Sequence, residues 1–182
     1  QIASQSAYFT FTAPLGIANA TAVRVGQAVG RGNIQEVKQM GRLGVLFAVV
    51  VMTVIALIYW FFPGFVIGLY LNTQDAANAE IIGLATTFLG IAAMFQVFDG
   101  TQVTSAAALR GLKDTRIPML VSLLSYWFIG IGSGVLLAFQ FGLGGRGLWF
   151  GLVLGLAVAA ILLTWRFNVT MLRKLTVNSN EV

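Results

Sequence analysis

The sequence contains no cysteine and no histidine, and only 9% of its 182 residues are charged. Without cysteine there is no disulfide, no thiolate nucleophile and no cysteine-ligated metal. Without histidine, a proton inside the protein must be carried by a carboxylate, a lysine or water. A soluble domain typically carries about 25% charged residues. So little charge cannot cover a water-facing surface, and we expect an integral membrane protein.

Hydrophobic residues make up 58% of the chain and concentrate in five long segments. About 20 apolar residues are needed to cross the ~30 Å hydrocarbon core of a bilayer. The five candidate spans cover residues 2–23, 43–62, 80–109, 118–139 and 148–169. The sequence therefore predicts an all-α membrane protein, with a five-helix transmembrane unit over residues 1–175 and a tail at 176–182.

The basic residues lie almost entirely at one end of the predicted helices. Ten of the eleven Lys and Arg follow the first or third span or lie near and beyond the end of the fifth, and only Arg146 falls at the other end. Because cytoplasmic loops are enriched in Lys and Arg, we expect that end and the C-terminal tail to be cytoplasmic. This distribution explains the net charge of +5 without a nucleic-acid partner. The start at Gln1-Ile2-Ala3 has no signal-peptide pattern, and we interpret the chain as a piece of a longer protein.

Two local patterns predict how the helices begin and pack. Asn33 followed by Glu36 matches a capping box, which predicts a short interfacial helix running toward the second span, although a solvated connector is an equal alternative. Glycines at 130 and 134 in the fourth span, and at 147, 151 and 155 in the fifth, are spaced one turn apart. Small residues at this spacing let membrane helices approach closely, and we expect packing within one bundle rather than a dimer face.

One acidic residue, Asp99, stands inside the apolar stretch AMFQVFDGTQVTSAA at 93–107. It precedes the cytoplasmic Arg110 by eleven residues, or ~16 Å of helix, which places it near mid-membrane. A charge at that depth costs roughly 2.5–3.5 kcal/mol. No Lys or Arg lies within the five apolar cores. Asp99 must therefore take a proton, bind a cation such as Na⁺, or face a water-filled cavity.

The neighbours of Asp99 favour a cavity. Gln96 and Gln102 lie three residues to either side and share its helix face, with Phe95 beside them. Such a face suits cations or amphipathic organic molecules. The alternatives are a structural acid at Asp99 and interhelical hydrogen bonds from the two amides.

Two other spans contribute candidates for the same cavity. Asn19 is a polar residue within the first span, which Pro14 is expected to bend. Bent helices beside an ionisable residue are typical of transporter binding regions. Tyr126 lies in the middle of the fourth span and either lines the cavity or packs in the core.

Enzyme and channel functions are disfavoured by the residues present. An intramembrane aspartyl protease needs two membrane carboxylates, and the spans hold only Asp99 at mid-depth. Without histidine there is neither a catalytic triad nor a histidine-ligated zinc site, and no phosphate-binding motif occurs. The short loops offer no pore loop for a selective channel. We therefore expect no enzymatic activity.

Three motifs resemble one transporter family. RVGQAVGRG at 24–32 and ALRGLKDTRIPML at 108–120 are similar to two inner-loop signatures in the second half of MATE (multidrug and toxic compound extrusion) transporters. FDGTQ at 98–102, with glutamine three residues after the aspartate, resembles the bacterial NorM-type branch.

The resemblance implies a twelve-helix protein with two six-helix lobes, of which this chain would supply helices eight to twelve of the second lobe. It implies export of cationic lipophilic drugs and dyes from the bacterial inner membrane in exchange for Na⁺ or H⁺. Asp99 would be the ion-coupling carboxylate, with no cofactor. The N-terminal lobe of the same polypeptide would be the partner, in a protein that is monomeric at full length. Two alternatives stay open: a lipid-linked glycan flippase of the same superfamily, and a non-transporting membrane assembly subunit.

Overall fold

The computed structural model describes residues 2–71 and 79–179. This part of the chain forms six helices and no strand, which confirms the all-α prediction. They are α1 (Ile2–Gly30), α2 (Ile34–Phe61), α3 (Pro63–Gly68), α4 (Ala79–Gly111), α5 (Arg116–Gln140) and α6 (Gly144–Ser179).

The helices contain the predicted spans, except for Phe62, and extend beyond them at most ends. α2 begins at Ile34, so the expected interfacial helix is not separate but is the first part of the second span. The short helix α3 was not predicted. It begins at Pro63, which suits the first turn because proline lacks only an amide that has no helical partner there. α6 continues to Ser179, into the predicted tail at 176–182. Residues 180–182 lie outside the described ranges.

Four helices of the described chain are long and apolar enough to cross a membrane: Ile34–Phe61, Ala79–Gly111, Arg116–Gln140 and the Gly144–Thr170 part of α6. α1 is 29 residues long, yet it does not reach that apolarity. Its Ser, Thr, Gln and Asn side chains lower its hydropathy. Four of the five predicted spans thus have both the length and the apolarity of a membrane helix. The first span, which lies in α1, has the length alone.

The start of α2 shows half of the predicted capping box. The Asn33 side chain accepts a hydrogen bond of 3.1 Å from the Glu36 amide, as an N-cap should. The Glu36 carboxylate does not return to the Asn33 amide but pairs with the Arg31 guanidinium at 2.5 Å. The amide of Asn33 instead donates to the Ala28 carbonyl, so the end of α1 has already taken the donor that Glu36 would have met.

α4 is the central helix and packs against α1, α2 and α6. Two apolar clusters hold it at either end. The first cluster consists of Ala56, Tyr59, Val66, Ile67, Ala85, Leu89, Ala92 and Ala93. The second cluster consists of Val25, Ala28, Val37, Ala108, Leu109, Leu112, Leu163 and Phe167. The α4 residues between 93 and 108 therefore lie between two apolar layers.

α5 packs chiefly against α6, through the predicted glycines. A Cβ on Gly155 would lie 2.8 Å from the Gly130 Cα, and one on Gly147 would lie 2.6 Å from the Leu137 carbonyl carbon. Real Cβ atoms do not approach backbone this closely, so the two helices touch where only glycine fits. The prediction of packing within one bundle is confirmed. α5 also contains two π-helical stretches, Ser125–Ile131 and Leu136–Gln140.

Candidate functional site

A layer of buried polar side chains lies on α4 between the two apolar clusters. We call it the polar layer; it consists of Gln96, Asp99, Gln102, Thr104 and Ser105. Asp99 is 7% exposed and Gln96 is 1% exposed. Burying five polar residues in the central helix costs free energy unless each finds a partner, so their partners decide what the layer does.

Gln96 points toward α1 and α2. Its side-chain amide donates a hydrogen bond to the Thr10 hydroxyl on α1, and that hydroxyl lies 3.2 Å from the Tyr59 hydroxyl on α2. Three helices therefore meet at one small network. The Gln96 amide therefore joins helices by hydrogen bonding. Interhelical hydrogen bonding was the alternative to a cavity role in the sequence analysis.

Gln102 points the other way, toward α5. Its Nε2 donates to the Ser122 Oγ at 3.0 Å. At 100° per residue, Gln96 and Gln102 stand about 60° to either side of Asp99 on the helix surface. Asp99 therefore occupies the strip of α4 between the side that meets α1 and the side that meets α5.

Asp99 has no hydrogen bond or ion pair with any residue in the described ranges. Asp99 interacts electrostatically with the Tyr126 hydroxyl of α5, without a hydrogen bond between the two groups. Tyr126 lies in the first π-helical stretch of α5 and is half-buried. π-helical turns occur frequently at functional sites, because they redirect a side chain without ending the helix.

Of the two other predicted candidates, Phe95 contacts a ring of α6 and Asn19 is exposed. The Phe95 ring meets the Trp149 ring of α6 edge-on, with 6.2 Å between centroids. Asn19 is exposed on α1 and makes no hydrogen bond to the described part of the polar layer. Gln96, Gln102 and Phe95 thus make contacts between helices, and Tyr126 interacts electrostatically with Asp99.

Sequence reasoning missed the partners of the polar layer. The sequence analysis gives no role to Thr10, Tyr59 or Ser122, although each carries a hydroxyl within a predicted span. Ser105 pairs with Thr164 of α6 at 2.9 Å. The Thr104 hydroxyl is buried and has no partner among the described residues. An in-membrane hydroxyl is a detectable signal, but the sequence does not say which one faces which amide.

The donor groups around Asp99 limit what it could hold. Within the described residues no three His, Cys, Asp or Glu side chains come together as a metal site. A lone carboxylate beside a phenol cannot enclose a divalent metal. It can take up a proton, or contribute one ligand to a monovalent cation whose other oxygens come from elsewhere.

Comparisons with known proteins agree with this architecture. The MatE family profile matches residues 1–136. The chain is 49% identical over 157 residues to the "Probable multidrug resistance protein NorM" of Deinococcus radiodurans, covering 86% of this chain and 35% of that protein. It is 46% identical over 168 residues to the "Multidrug resistance protein NorM" of Burkholderia vietnamiensis, covering 92% and 36%. The chain thus spans about a third of the length of these relatives.

The fold is that of solved multidrug transporters. The inward-facing structure of a multidrug resistance MATE family transporter of the MOP superfamily superposes with a TM-score of 0.84 at 20% identity, covering 96% of this chain and 39% of that one. The similar chains are transporters, in agreement with the expectation that this protein is not an enzyme. With four membrane-capable helices and these relatives, it is a multi-pass membrane protein. The chain belongs to the MatE family, the family of MATE transporters.

Proposed function

We propose that this chain is part of a multidrug exporter in which Asp99 couples drug export to entry of Na⁺ or H⁺. The observation that supports it most is the setting of Asp99: a buried carboxylate between two apolar clusters, with no donor or cation bound to it among the described residues. An ionised carboxylate in such a place is costly unless a cation joins it. The carboxylate therefore gains free energy whenever a proton, Na⁺ or a cationic drug arrives.

Competition for that one carboxylate supplies the mechanism. From the outward-open state, Asp99 takes up Na⁺ or H⁺. Neutralising the carboxylate removes its attraction for the cationic drug, and the drug leaves. The return to the inward-open state exposes the site to the cytoplasm, where the ion is exchanged for a new drug molecule. Each ligand can shift the conformational equilibrium only through its different affinity for the two states.

Tyr126 has a supporting role in this proposal. Its hydroxyl interacts electrostatically with the carboxylate. A phenol can donate a hydrogen bond, and its ring offers a face to a planar cation. Gln96 and Gln102 hold α4 against its neighbours, so the carboxylate keeps its place while it exchanges ligands. The names of the NorM relatives support multidrug substrates, and the first lobe of the same polypeptide would form the other wall of the cleft.

The rival flippase function has less support. A pocket for a pyrophosphate-linked glycan needs cationic side chains, and the described polar layer contains no Lys or Arg. A purely structural subunit would have no use for an unpaired buried carboxylate. If the chain were such a subunit, Asp99→Asn would change its stability and nothing else.

The test is ethidium efflux from cells that express the full-length protein, with Na⁺ and pH gradients imposed separately. Asp99→Asn removes the charge while keeping the size of the side chain, and we expect it to abolish ion-dependent efflux at matched membrane expression. Asp114→Asn is the control, because Asp114 is paired with Arg166 at the end of the bundle and we expect it to keep ion dependence. The gradient that drives the wild type names the ion. Unchanged, ion-dependent efflux by Asp99→Asn would overturn the proposal.

A further inference from the structure

A second candidate binding feature lies between α2 and α6, where Ser105 of the polar layer and its partner Thr164 are part of the lining. A groove of about 230 Å³ runs between α2 and α6, with α4 as its floor. Its lining residues are Gly41, Arg42, Val45, Leu46, Val49, Ser105, Thr164, Phe167 and Asn168. Most of this lining is apolar, and the one charged group is the Arg42 guanidinium.

Arg42 is held in place by a chain of hydrogen bonds. Its Nε and Nη2 donate to the Asn168 Oδ1 at 3.2 and 3.0 Å. The Asn168 amide is itself fixed, because its Nδ2 donates to the Thr164 carbonyl at 2.9 Å. A guanidinium has five N–H donors, and these bonds use two of them. No carboxylate in the described chain pairs with Arg42, so an oriented cation with free donors faces the groove.

The position of Arg42 along α2 matches the depth of a lipid headgroup. Residues 43–61 follow it without a single charge, and residues 147–165 of α6 are likewise uncharged up to Arg166. Arg42 and Asn168 therefore mark the border of the apolar band on both helices. Basic pockets between membrane helices at this level suit anionic headgroups.

We propose that this groove binds an anionic phospholipid, with its phosphate on Arg42 and one acyl chain along α2 and α6. The acyl chain would lie over Val45 and Val49, which are one turn apart, and against Phe167. The lining contains no Asp or Glu to receive the ammonium of a zwitterionic headgroup, so a net negative lipid is favoured. A free phosphate would contact Arg42 alone and would leave the apolar part of the groove unused.

A larger groove between α1 and α2 does not carry the same inference. It has a volume of about 400 Å³ and is also apolar, with Arg24 at one end. No hydrogen bond from the described residues fixes Arg24 as Asn168 fixes Arg42. Of these two grooves, the α2–α6 groove is the one whose cation is held by hydrogen bonds within the described chain.

The experiment is native mass spectrometry of the full-length protein in detergent, titrated with phosphatidylglycerol or with phosphatidylcholine of the same acyl chains. We expect the wild type to bind phosphatidylglycerol preferentially, and Arg42→Gln to weaken that binding about tenfold, as the loss of a charge-assisted contact would. Arg42→Lys keeps the charge without the planar fork and should fall between the two. Arg110→Gln, an exposed arginine at the same end that lines none of these grooves, should bind as the wild type does.

The apolar half of the groove is tested separately. Val49→Phe fills the groove while Arg42 stays, and it should weaken phosphatidylglycerol binding; Val54→Phe, an exposed residue of α2 outside the groove, should not. Melting temperature in the same detergent verifies that each variant is folded. Equal binding of the two lipids, equal weakening by Arg110→Gln, or full binding by folded Arg42→Gln and Val49→Phe would overturn the proposal. Full binding of phosphatidylglycerol by both folded variants is the result expected if another part of the polypeptide, rather than a lipid, covers the groove.

Discussion

The Nε2 of Gln102 lies 3.0 Å from the Oγ of Ser122. This hydrogen bond joins α4 to α5 three residues beyond Asp99. α5 packs mainly on α6, so it reaches α4 through side chains rather than through a close backbone contact. The Gln102–Ser122 bond therefore helps to set the distance between Asp99 and Tyr126. A contact of this kind can be removed without disturbing the packing around it.

We predict that Ser122→Ala lowers the free energy of unfolding by about 1 kcal/mol, because the buried Gln102 amide loses its acceptor. Thermal unfolding of the purified protein in detergent measures this loss. Thr86→Ala is the matched control, since the exposed Thr86 bonds only to the Ile82 carbonyl of its own helix. We expect the control to change stability by less than about 0.5 kcal/mol. Equal destabilisation by both variants would show that the bond to α5 contributes nothing.

The glycine contact between α5 and α6 gives the second prediction. A Cβ on Gly151 would lie 2.6 Å from the Gly130 carbonyl oxygen and nearer still to the Gly134 backbone. Because backbone cannot move aside as a flexible side chain can, Gly151→Ala must push the helices apart. We expect a loss of about 1–3 kcal/mol, visible as a lower melting temperature or reduced folded yield.

Gly83→Ala is the control for that substitution. Gly83 lies within α4, and a Cβ there would meet nothing within 4 Å. Alanine is the better helix former, so Gly83→Ala should leave the melting temperature unchanged or raise it. If Gly151→Ala leaves the melting temperature as high as Gly83→Ala does, the backbones of α5 and α6 are not in close contact at Gly151.

The N-cap of α2 gives the third prediction. Asn33→Ala removes the oxygen that accepts from the Glu36 amide and should cost about 1 kcal/mol. Asn33→Asp keeps an acceptor and adds a negative charge at the positive end of the helix dipole, so it should retain stability. The two variants are compared by chemical or thermal unfolding. A loss of stability in Asn33→Asp equal to that in Asn33→Ala would contradict the capping role.

Hydrophobicity alone predicted where the helices lie, because a bilayer demands long apolar segments that satisfy their own backbone. It could not predict α3, since the six residues Pro63–Gly68 give too little periodicity to distinguish a helix from a turn. Hydrophobicity placed the start of the second span at residue 43, whereas α2 begins at Ile34. The stretch from Ile34 to Arg42 is rich in polar and charged residues, so it belongs to the helix but not to the apolar span.

The site was predicted less completely than the fold. Asp99 stood out because a charge within an apolar span is rare and local in sequence. The role of Gln96 could not be inferred in the same way, because its partner Thr10 lies 86 residues away. Tyr126 was a candidate from its depth alone, and its electrostatic interaction with Asp99 depends on how α5 is placed in the bundle. Side-chain partners across helices depend on rotation and register, which hydrophobic patterns leave undetermined.

The last prediction concerns Tyr126 and rests on the proposed coupling role of Asp99. Tyr126→Phe keeps the ring and removes the hydroxyl that interacts electrostatically with the carboxylate. If that hydroxyl takes part in the exchange of ions at Asp99, its loss should change the ion concentration for half-maximal efflux by up to about tenfold, as expected for a hydrogen bond to a charged group. The maximal rate of ethidium efflux should fall less, because the ring is still present. Tyr70→Phe is the control, since Tyr70 is exposed and lies after α3, outside the polar layer. An unchanged ion dependence in Tyr126→Phe, with folded protein at matched expression, would leave the phenol only its packing role in α5.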